Sequence, residues 1–236
     1  MIPKLVTFDC AGTMVAVPKG WSMGWFAAEA AKSAGVNLPA GAAEAYQSLY
    51  NARLREFVAV NMSRNAELQV EFWRKLATDW FSQLDLPTEF LDPMLAEADV
   101  LGFGPDSILF KMFDDVIPCL DKLDSMGIPA AVISNWDYSL PRVLRIFGIE
   151  HRFITITASL VEGVEKPDRR LFDLTLARAG FNAAETVHVG DDWVDDVDGA
   201  QGAGLKPIFL DRSRTQSDSK SICTLADLTE AFDWID

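Results

Sequence analysis

The sequence predicts an α/β fold built on a parallel sheet, with an all-helical insertion near its N-terminus. Three observations carry this. Uninterrupted apolar runs at Leu5–Phe8, Ala130–Ile133, Val187–Val189 and Pro207–Leu210 read as strands buried on both faces, since a half-exposed strand would alternate. Helical periods closed by glycine separate the later runs, which is the rhythm of βαβ units. From about residue 17 to 105 no strand pattern occurs, and apolar residues recur at helical spacing instead.

Taken in order, Leu5–Phe8 opens the sheet and ends in the polar string Asp9-Cys10-Ala11-Gly12-Thr13. The insertion then carries one helical stripe through Tyr46, Leu49, Tyr50, Leu54 and Phe57, and a second through Val70, Trp73, Leu76, Ala77, Trp80 and Leu84. A shorter stripe follows at Phe90, Leu91, Met94 and Leu95. Trp21, Trp25, Trp73 and Trp80 all fall in the insertion, where filling the bundle interior is the expected role for most of them. Pro105 is expected to mark the return, which gives a core of 1–16 plus 106–236 around a helical domain of 17–105. Val116–Met126 places Val116, Leu120 and Leu123 on one helical face and stops at Gly127. Phe153–Thr157 is a weaker strand, rich in β-branched residues, and the helical pattern Leu171–Ala179 ends at Gly180. The Ser- and Asp-rich stretch from Arg212 to Ser221 reads as an exposed loop.

Composition narrows the function classes. The 236 residues suffice for a core with a smaller inserted domain, and 49% hydrophobic with 24% charged residues is an ordinary globular mixture. Twenty-one basic against 35 acidic residues give a net charge of −14. Such a field opposes binding to nucleic acid or to an anionic membrane. No apolar run approaches the roughly 18–20 residues of a membrane span, and the string Met-Ile-Pro-Lys-Leu-Val-Thr-Phe-Asp over residues 1–9 brings a charge too early for a signal peptide. Cys10, Cys119 and Cys223 have no metal-binding spacing and fit a reducing compartment, so a cytoplasmic location is expected.

In an open parallel sheet, ligands bind beyond the carboxyl ends of the strands. Four polar strings stand at or near those ends: Asp9 to Thr13, Ser134-Asn135-Trp136-Asp137, Glu165-Lys166-Pro167-Asp168, and Gly190-Asp191-Asp192-Trp193-Val194-Asp195-Asp196. Singly, each reads as a helix cap or a solvated turn. Together they compose a phosphate-transfer site. Asp9 can act as a covalent nucleophile. Hydroxyls of Ser134 or Thr13, with nearby backbone N–H groups, can hold the transferring oxygens, and Lys166 can neutralise charge on the phosphate and on Asp9. The four acids between Asp191 and Asp196 repel one another without a cation, and a sparse set of oxygen ligands suits Mg²⁺.

The order and wording of these strings resemble the haloacid dehalogenase superfamily, over Leu5 to Thr13 and from about Asp114 to Leu210. The resemblance implies a Rossmann-like core with the helical insertion as a cap. It implies a hydrolase acting on a small phosphorylated molecule with Asp9 as nucleophile and Thr13 as the threonine of the first motif. Ser134, with Asn135 beside it, is then the substrate-binding second motif, and Lys166 the lysine of the third. Asp191 and Asp196, the two acids of the Gly-Asp-x-x-x-x-Asp form, are then metal ligands, and Asp9 and the Ala11 carbonyl complete the Mg²⁺ site. One position departs. Phosphatases of the superfamily carry an acid two residues after the nucleophile, and here that residue is Ala11, so the proton donor for the leaving oxygen is in question. General acid–base help of this kind is typically worth about 10²–10⁴-fold. Asp192 and Asp195 are the neighbouring carboxylates, although capping or solvation explains them equally well.

Other readings stay open at this point. The string Asp9-x-Ala11-Gly12-Thr13 also resembles phosphonoacetaldehyde hydrolases, where a cap lysine forms a Schiff base. The insertion offers Lys19, Lys32 and Lys75, and none lies in the Tyr46–Leu54 neighbourhood where that family carries its own. A 2-haloacid dehalogenase would explain the missing acid but not the full acidic cluster. An inactive binding domain would have no reason to keep Asp9, Ser134, Lys166 and Asp191 together. Trp136 and Trp193 could wall the pocket or pack against a neighbouring loop. His188, between Val187 and Val189, reads as a packed core imidazole, His151 as a surface residue, and Cys10 as core on the face opposite Asp9. Substrate identity and oligomeric state are not readable from the chain.

Overall fold

The computed structural model describes residues 2–214 and 221–234, which divide into two compact units, Met1–Ala16 with Met112–Asp236 and the contiguous Val17–Lys111. The first unit holds a parallel sheet. Its strands are β1 (Leu5–Phe8), β2 (Ala130–Ser134), β3 (Phe153–Ala158), β4 (Thr186–Gly190), β5 (Lys206–Leu210) and β6 (Ser221–Ile222), in the spatial order β3-β2-β1-β4-β5-β6. Each neighbouring pair is parallel. The order reverses at β1, which pairs with β2 on one side and β4 on the other. A crevice opens at such a switch point, because the connections to the two sides leave in opposite directions.

Burial explains why the strand runs are uninterrupted. Leu5 on one face and Val6 and Phe8 on the other are all at 0% exposure, so no position of β1 can afford a solvated side chain. On one face, Leu5, Ala131 and Ile133 pack against Leu171, Phe172 and Leu176 of the helix Arg169–Ala179, with Ala200, Ala203 and Leu205 beside them. That helix starts two residues before its first apolar position because Asp168 caps it, its carboxylate accepting from the Arg170 N–H. Gly180 ends it in the left-handed conformation. The weaker strand Phe153–Thr157 is present and extends to Ala158. It lies at the sheet edge with Ile154 half exposed, which is why its pattern is mixed.

Two expectations for the C-terminal part need correction. Ser221–Ile222 forms the sixth strand rather than a loop end, since a two-residue edge strand has no period to detect. Arg212 is not in an exposed loop either, because its guanidinium is mostly covered and hydrogen-bonded on several sides. The rest of that stretch, residues 215–220, lies outside the described residues.

The second unit is built from the helices Met23–Ser33, Ala42–Ala52, Leu54–Ser63, Ala66–Gln83 and Leu91–Phe103. It continues to Lys111, so Pro105 does not end it. The stripe from Tyr46 to Phe57 is not one helix: the chain turns at Arg53, and Leu54 on the far side is 44% exposed. In Ala66–Gln83 the buried face is Phe72, Leu76, Ala77, Trp80 and Phe81, while Val70 stands out in solvent. Apolar residues flank both sides of the true stripe there, so periodicity alone selects the wrong edge. Only some of the tryptophans fill the interior. Trp80 is at 0% exposure, its Nε1 donates to the Ala42 carbonyl at 2.8 Å, and Tyr46 meets it edge-on at 5.2 Å, whereas Trp21 is 39% exposed. Among the described residues, no helix is long and apolar enough to cross a membrane.

Trp80 therefore sets the stability of the helical unit. Trp80→Ala is expected to cost about 3–5 kcal/mol through lost burial and an unfilled cavity. Urea unfolding followed by far-UV circular dichroism measures it.

Candidate functional site

The sheet delivers the four polar strings to one place. Asp9 follows β1 directly, and its backbone N–H donates to the Val189 carbonyl at 2.9 Å, which continues the β1–β4 pairing by one residue and aims the next turn. The turn is tight: Gly12 N–H donates to Val15 O at 2.8 Å, and Met14 and Val15 N–H both donate to Cys10 O at 2.9 Å. Gly12 takes φ +80°, and a Cβ there would stand 2.1 Å from Asp191 Oδ2. Only glycine allows the turn and the Asp191 carboxylate to share this space.

Asp9 is 6% exposed. Its Oδ1 accepts from Ser134 Oγ at 3.0 Å and from Lys166 Nζ at 2.6 Å. The same ammonium donates to Asp196 Oδ1 at 2.5 Å. Thr13 Oγ1 donates to Asp191 Oδ1 at 2.9 Å. One oxygen from each of Asp9, Asp191 and Asp196 falls within 4.8 Å of the others. The structure thus brings together Asp9, Thr13, Ser134, Lys166, Asp191 and Asp196. Ala11 lies in the turn between Asp9 and Thr13, its side chain a methyl group that offers no proton.

The Asn135 side chain is engaged by the protein itself. Its Oδ1 accepts from the Lys166 N–H at 2.8 Å, and its Nδ2 donates to the Lys166 carbonyl and to Asp195 Oδ2, both at 3.0 Å. The amide grips the Lys166 backbone at both polar groups, so it locates the lysine. Asp192 caps the wide helical turn Trp193–Asp198 by accepting from Val194 and Asp195 N–H at 2.8 Å, the capping role that its position allowed. Trp193 stands edge-on to Phe209 at 5.3 Å, and Trp136 Nε1 donates to Ser139 Oγ at 3.0 Å.

The electrostatics follow from burial. Burial pushes the Asp9 carboxyl above its ordinary range, Lys166 pulls it back, and the Asp196 charge adds to the push. Burial also raises Asp191, to about 6, with the Asp9 charge adding to it. Asp196 goes the other way: burial is outweighed by the hydrogen bond from His188 and by Lys166, which hold it well below the usual carboxylate range. For Lys166 the desolvation that disfavours an ammonium is outweighed by the two carboxylates, so its pKa rises and it stays charged. Burial and the Asp9 charge push the Cys10 thiol up, leaving it an inert core residue.

The donor set can be tested for a cation. Three carboxylates face one ammonium, a formal deficit of two positive charges. Hard oxygen donors with a residual charge of that sign and size fit a divalent hard cation. Asp196 is the least available of the three, since Oδ1 accepts from Lys166 and His188 and Oδ2 accepts from the Asp192 N–H at 3.0 Å. Asp9 and Asp191 would hold the ion, and Asp196 would fix the lysine beside it. A Cβ on Gly190 would stand 2.1 Å from the Asp196 carboxyl carbon, so this glycine is where Asp196 finds room.

His188 belongs to this network and was readable only as core. It is at 0% exposure, its Nε2 lies 3.1 Å from Asp196 Oδ1, and its Nδ1 lies 2.9 Å from Thr7 Oγ1. An ionised Asp196 can only accept, so Nε2 carries a proton, while Nδ1 faces the Thr7 hydroxyl, which also donates to the Val187 carbonyl at 3.3 Å. Thr7 and His188 are directly paired across β1 and β4, a neighbour relation that no single-strand pattern contains.

Residues 3–204 match the family model described as haloacid dehalogenase-like hydrolase. The chain belongs to the haloacid dehalogenase-like hydrolase family. It is 29% identical over 215 residues to haloacid dehalogenase-like hydrolase domain-containing protein 3 of Danio rerio, covering 90% of this chain and 87% of that one. It is 33% identical over 126 residues to phosphoserine phosphatase of Thermus thermophilus, covering 52% of this chain and 51% of that one. The crystal structure of 2-haloacid dehalogenase from Pseudomonas syringae pv. tomato superposes with a TM-score of 0.71 at 23% identity, covering 98% and 99% of the two chains, a likeness of fold.

Removing the shared ammonium leaves two buried carboxylates uncompensated. Lys166→Met is expected to destabilise the protein by about 3–5 kcal/mol at neutral pH. The deficit relative to wild type should shrink as pH falls, because a buried carboxyl with a raised pKa regains neutrality by binding a proton. Urea titrations of both proteins at several pH values check this. Gly190→Ala, which crowds Asp196 without touching charge, should abolish turnover.

Proposed function

We propose that this hydrolase removes phosphate from a small phosphorylated metabolite through an aspartyl-phosphate on Asp9, with Mg²⁺ as cofactor. The observation that carries the reading is the charge balance around Asp9. One lysine and one hydroxyl hold a single oxygen of a carboxylate that two further acids approach, a deficit that a divalent cation and a phosphoryl group together satisfy. The curated relatives named phosphatases, phosphoserine phosphatase of Thermus thermophilus and glyceraldehyde 3-phosphate phosphatase of Methanopyrus kandleri, support the same chemistry. A dehalogenase leaves Asp191, set beside Asp9 and held there by Thr13, with no positive charge to meet.

In the first step an Asp9 oxygen attacks phosphorus, the ester P–O bond breaks, and the leaving oxygen departs with its electron pair. Lys166 Nζ and Ser134 Oγ already converge on Oδ1 and orient the attacking carboxylate. In the second step water attacks the aspartyl-phosphate, inorganic phosphate leaves, and the Asp9 carboxylate is restored. Bound Mg²⁺, held by Asp9, Asp191 and the Ala11 carbonyl, would neutralise charge on the phosphoryl oxygens. Thr13 holds Asp191 in place, and Asn135 and Asp196 hold Lys166. We assign substrate selection to the helical unit, as the family resemblance implies. Three free cysteines and the charge of −14 fit a cytoplasmic enzyme.

Ala11 sets the substrate preference. With no acid at this position an alkoxide leaves unaided, so turnover depends on the acidity of the departing group. The wild-type enzyme should hydrolyse p-nitrophenyl phosphate faster than alkyl phosphates, lose activity in chelator and regain it with Mg²⁺. Asp9→Asn should reduce phosphate release to background, and beryllium fluoride should bind covalently only to the wild type. Full turnover in chelator would overturn the metal assignment. Ala11→Asp should raise the alkyl-to-aryl rate ratio by about tenfold or more. An unchanged ratio in a folded variant removes Ala11 as the cause.

A further inference from the structure

One side chain outside the four polar strings reaches the nucleophile's turn from another strand. Arg212 stands two residues beyond the end of β5. Its Nε donates to the Gly12 carbonyl at 3.2 Å and its Nη2 to the Thr13 carbonyl at 2.6 Å. Nη1 and Nη2 also clasp Asp115 Oδ2 and Oδ1 at 2.9 and 3.0 Å, and the guanidinium lies over the Phe113 ring, 3.8 Å from its centroid. Asp115 immediately precedes the helix Val116–Ser125, where an aspartate ordinarily caps the first N–H groups. Its carboxylate makes no such bond here and instead accepts from Arg212 and from the Leu225 N–H at 2.9 Å. Burial alone would raise Asp115, but these bonds outweigh it and hold it below the usual carboxylate range.

The turn's own hydrogen bonds use the Cys10 and Val15 carbonyls, while the Gly12 and Thr13 carbonyls accept from Arg212. Gly12 is the residue with the widest backbone freedom, and the closeness of Asp191 forbids any side chain there. We infer that Arg212 is a positioning residue for the proposed phosphoryl transfer, fixing the peptide planes of the turn that carries Asp9 at one end and Thr13 at the other. The inference rests on the proposed role of Asp9. A peptide group is planar and trans, so pinning the Gly12 and Thr13 carbonyls sets the directions of the Thr13 and Met14 N–H groups on the opposite edges. The Met14 N–H, so directed, donates to Cys10 O at 2.9 Å. A lysine, a single point charge, cannot span two carbonyls and a carboxylate at once.

The test is Arg212→Lys in the full chain, assayed with p-nitrophenyl phosphate and Mg²⁺, alongside amide hydrogen exchange at Met14 and Val15. The expected result is a kcat lower by about 10²-fold, the scale of a misplaced reacting group, with KM essentially unchanged and faster exchange at both amides. A folded variant with wild-type kcat overturns the inference, and so does unchanged exchange. Should Arg212→Lys not fold, Asp115→Ala removes the carboxylate that orients the guanidinium and is held to the same outcomes with a smaller loss of kcat. If the wild-type protein releases no phosphate, the phosphatase reading falls by itself, and the exchange rates decide the positioning of the turn.

Discussion

The ammonium of Lys166 lies between two carboxylates that are each less than a tenth exposed, and both depend on it. Moving one carboxylate out of water costs several kcal/mol even after relaxation, and two side by side would repel. With the ammonium between them, Asp196 is ionised and Asp9 is held within reach of ionisation. Much of the surrounding structure serves this one placement. Asn135 holds the lysine's backbone by both of its polar groups, and His188, braced by Thr7, holds Asp196 from the other side. Gly190 gives Asp196 its room. None of these groups is needed to touch a substrate, yet each constrains the carboxylate that would.

The sheet topology makes the arrangement possible. Strand β1 is central, so the residue after it has a strand end on each side: Ser134 ends β2 and Asp191 follows β4. The site is therefore a meeting of strand ends whose relative positions are set by backbone pairing within a packed core. A second tier of contacts, Arg212 and Asp115 on the turn, comes from the ends of β5 and from the start of a helix, elements that carry no motif of their own.

How much of this was readable from the chain depended on the range of the interaction. Apolar runs such as Leu5–Phe8 and Val187–Val189 revealed the strands because burial on both faces leaves a local mark. The polar strings after them revealed Asp9, Ser134, Lys166 and Asp191 as a set because a shared sheet edge collects strand ends. Asn135 is legible as a polar residue at a strand end, but nothing local shows that its amide meets the backbone of Lys166, 31 residues on. His188 reads as a packed imidazole, which it is, but its partners Thr7 and Asp196 are defined by strand register and a helical turn. Arg212 lay in a stretch whose composition is that of a loop, and its partners are 97 to 200 residues away. In the helical unit, Val70 and Phe72 are both apolar but lie on opposite sides of the helix, and packing buries Phe72 while Val70 is exposed.

The central position of β1 also bears on how the chain comes to be folded during its synthesis. The strand is made first, yet its partners begin at Ala130 on one side and Thr186 on the other. At roughly 5–20 residues per second, the ribosome needs on the order of ten seconds to deliver them. In that interval a four-residue ribbon of Leu, Val, Thr and Phe has no neighbour to pair with. The helical unit, contiguous from Val17 to Lys111, is complete well before then and can condense on its own contacts. A chain synthesised to Lys111 therefore holds the whole helical unit and an apolar strand that still lacks both partners, which is the stage at which chaperone binding to this protein would matter most.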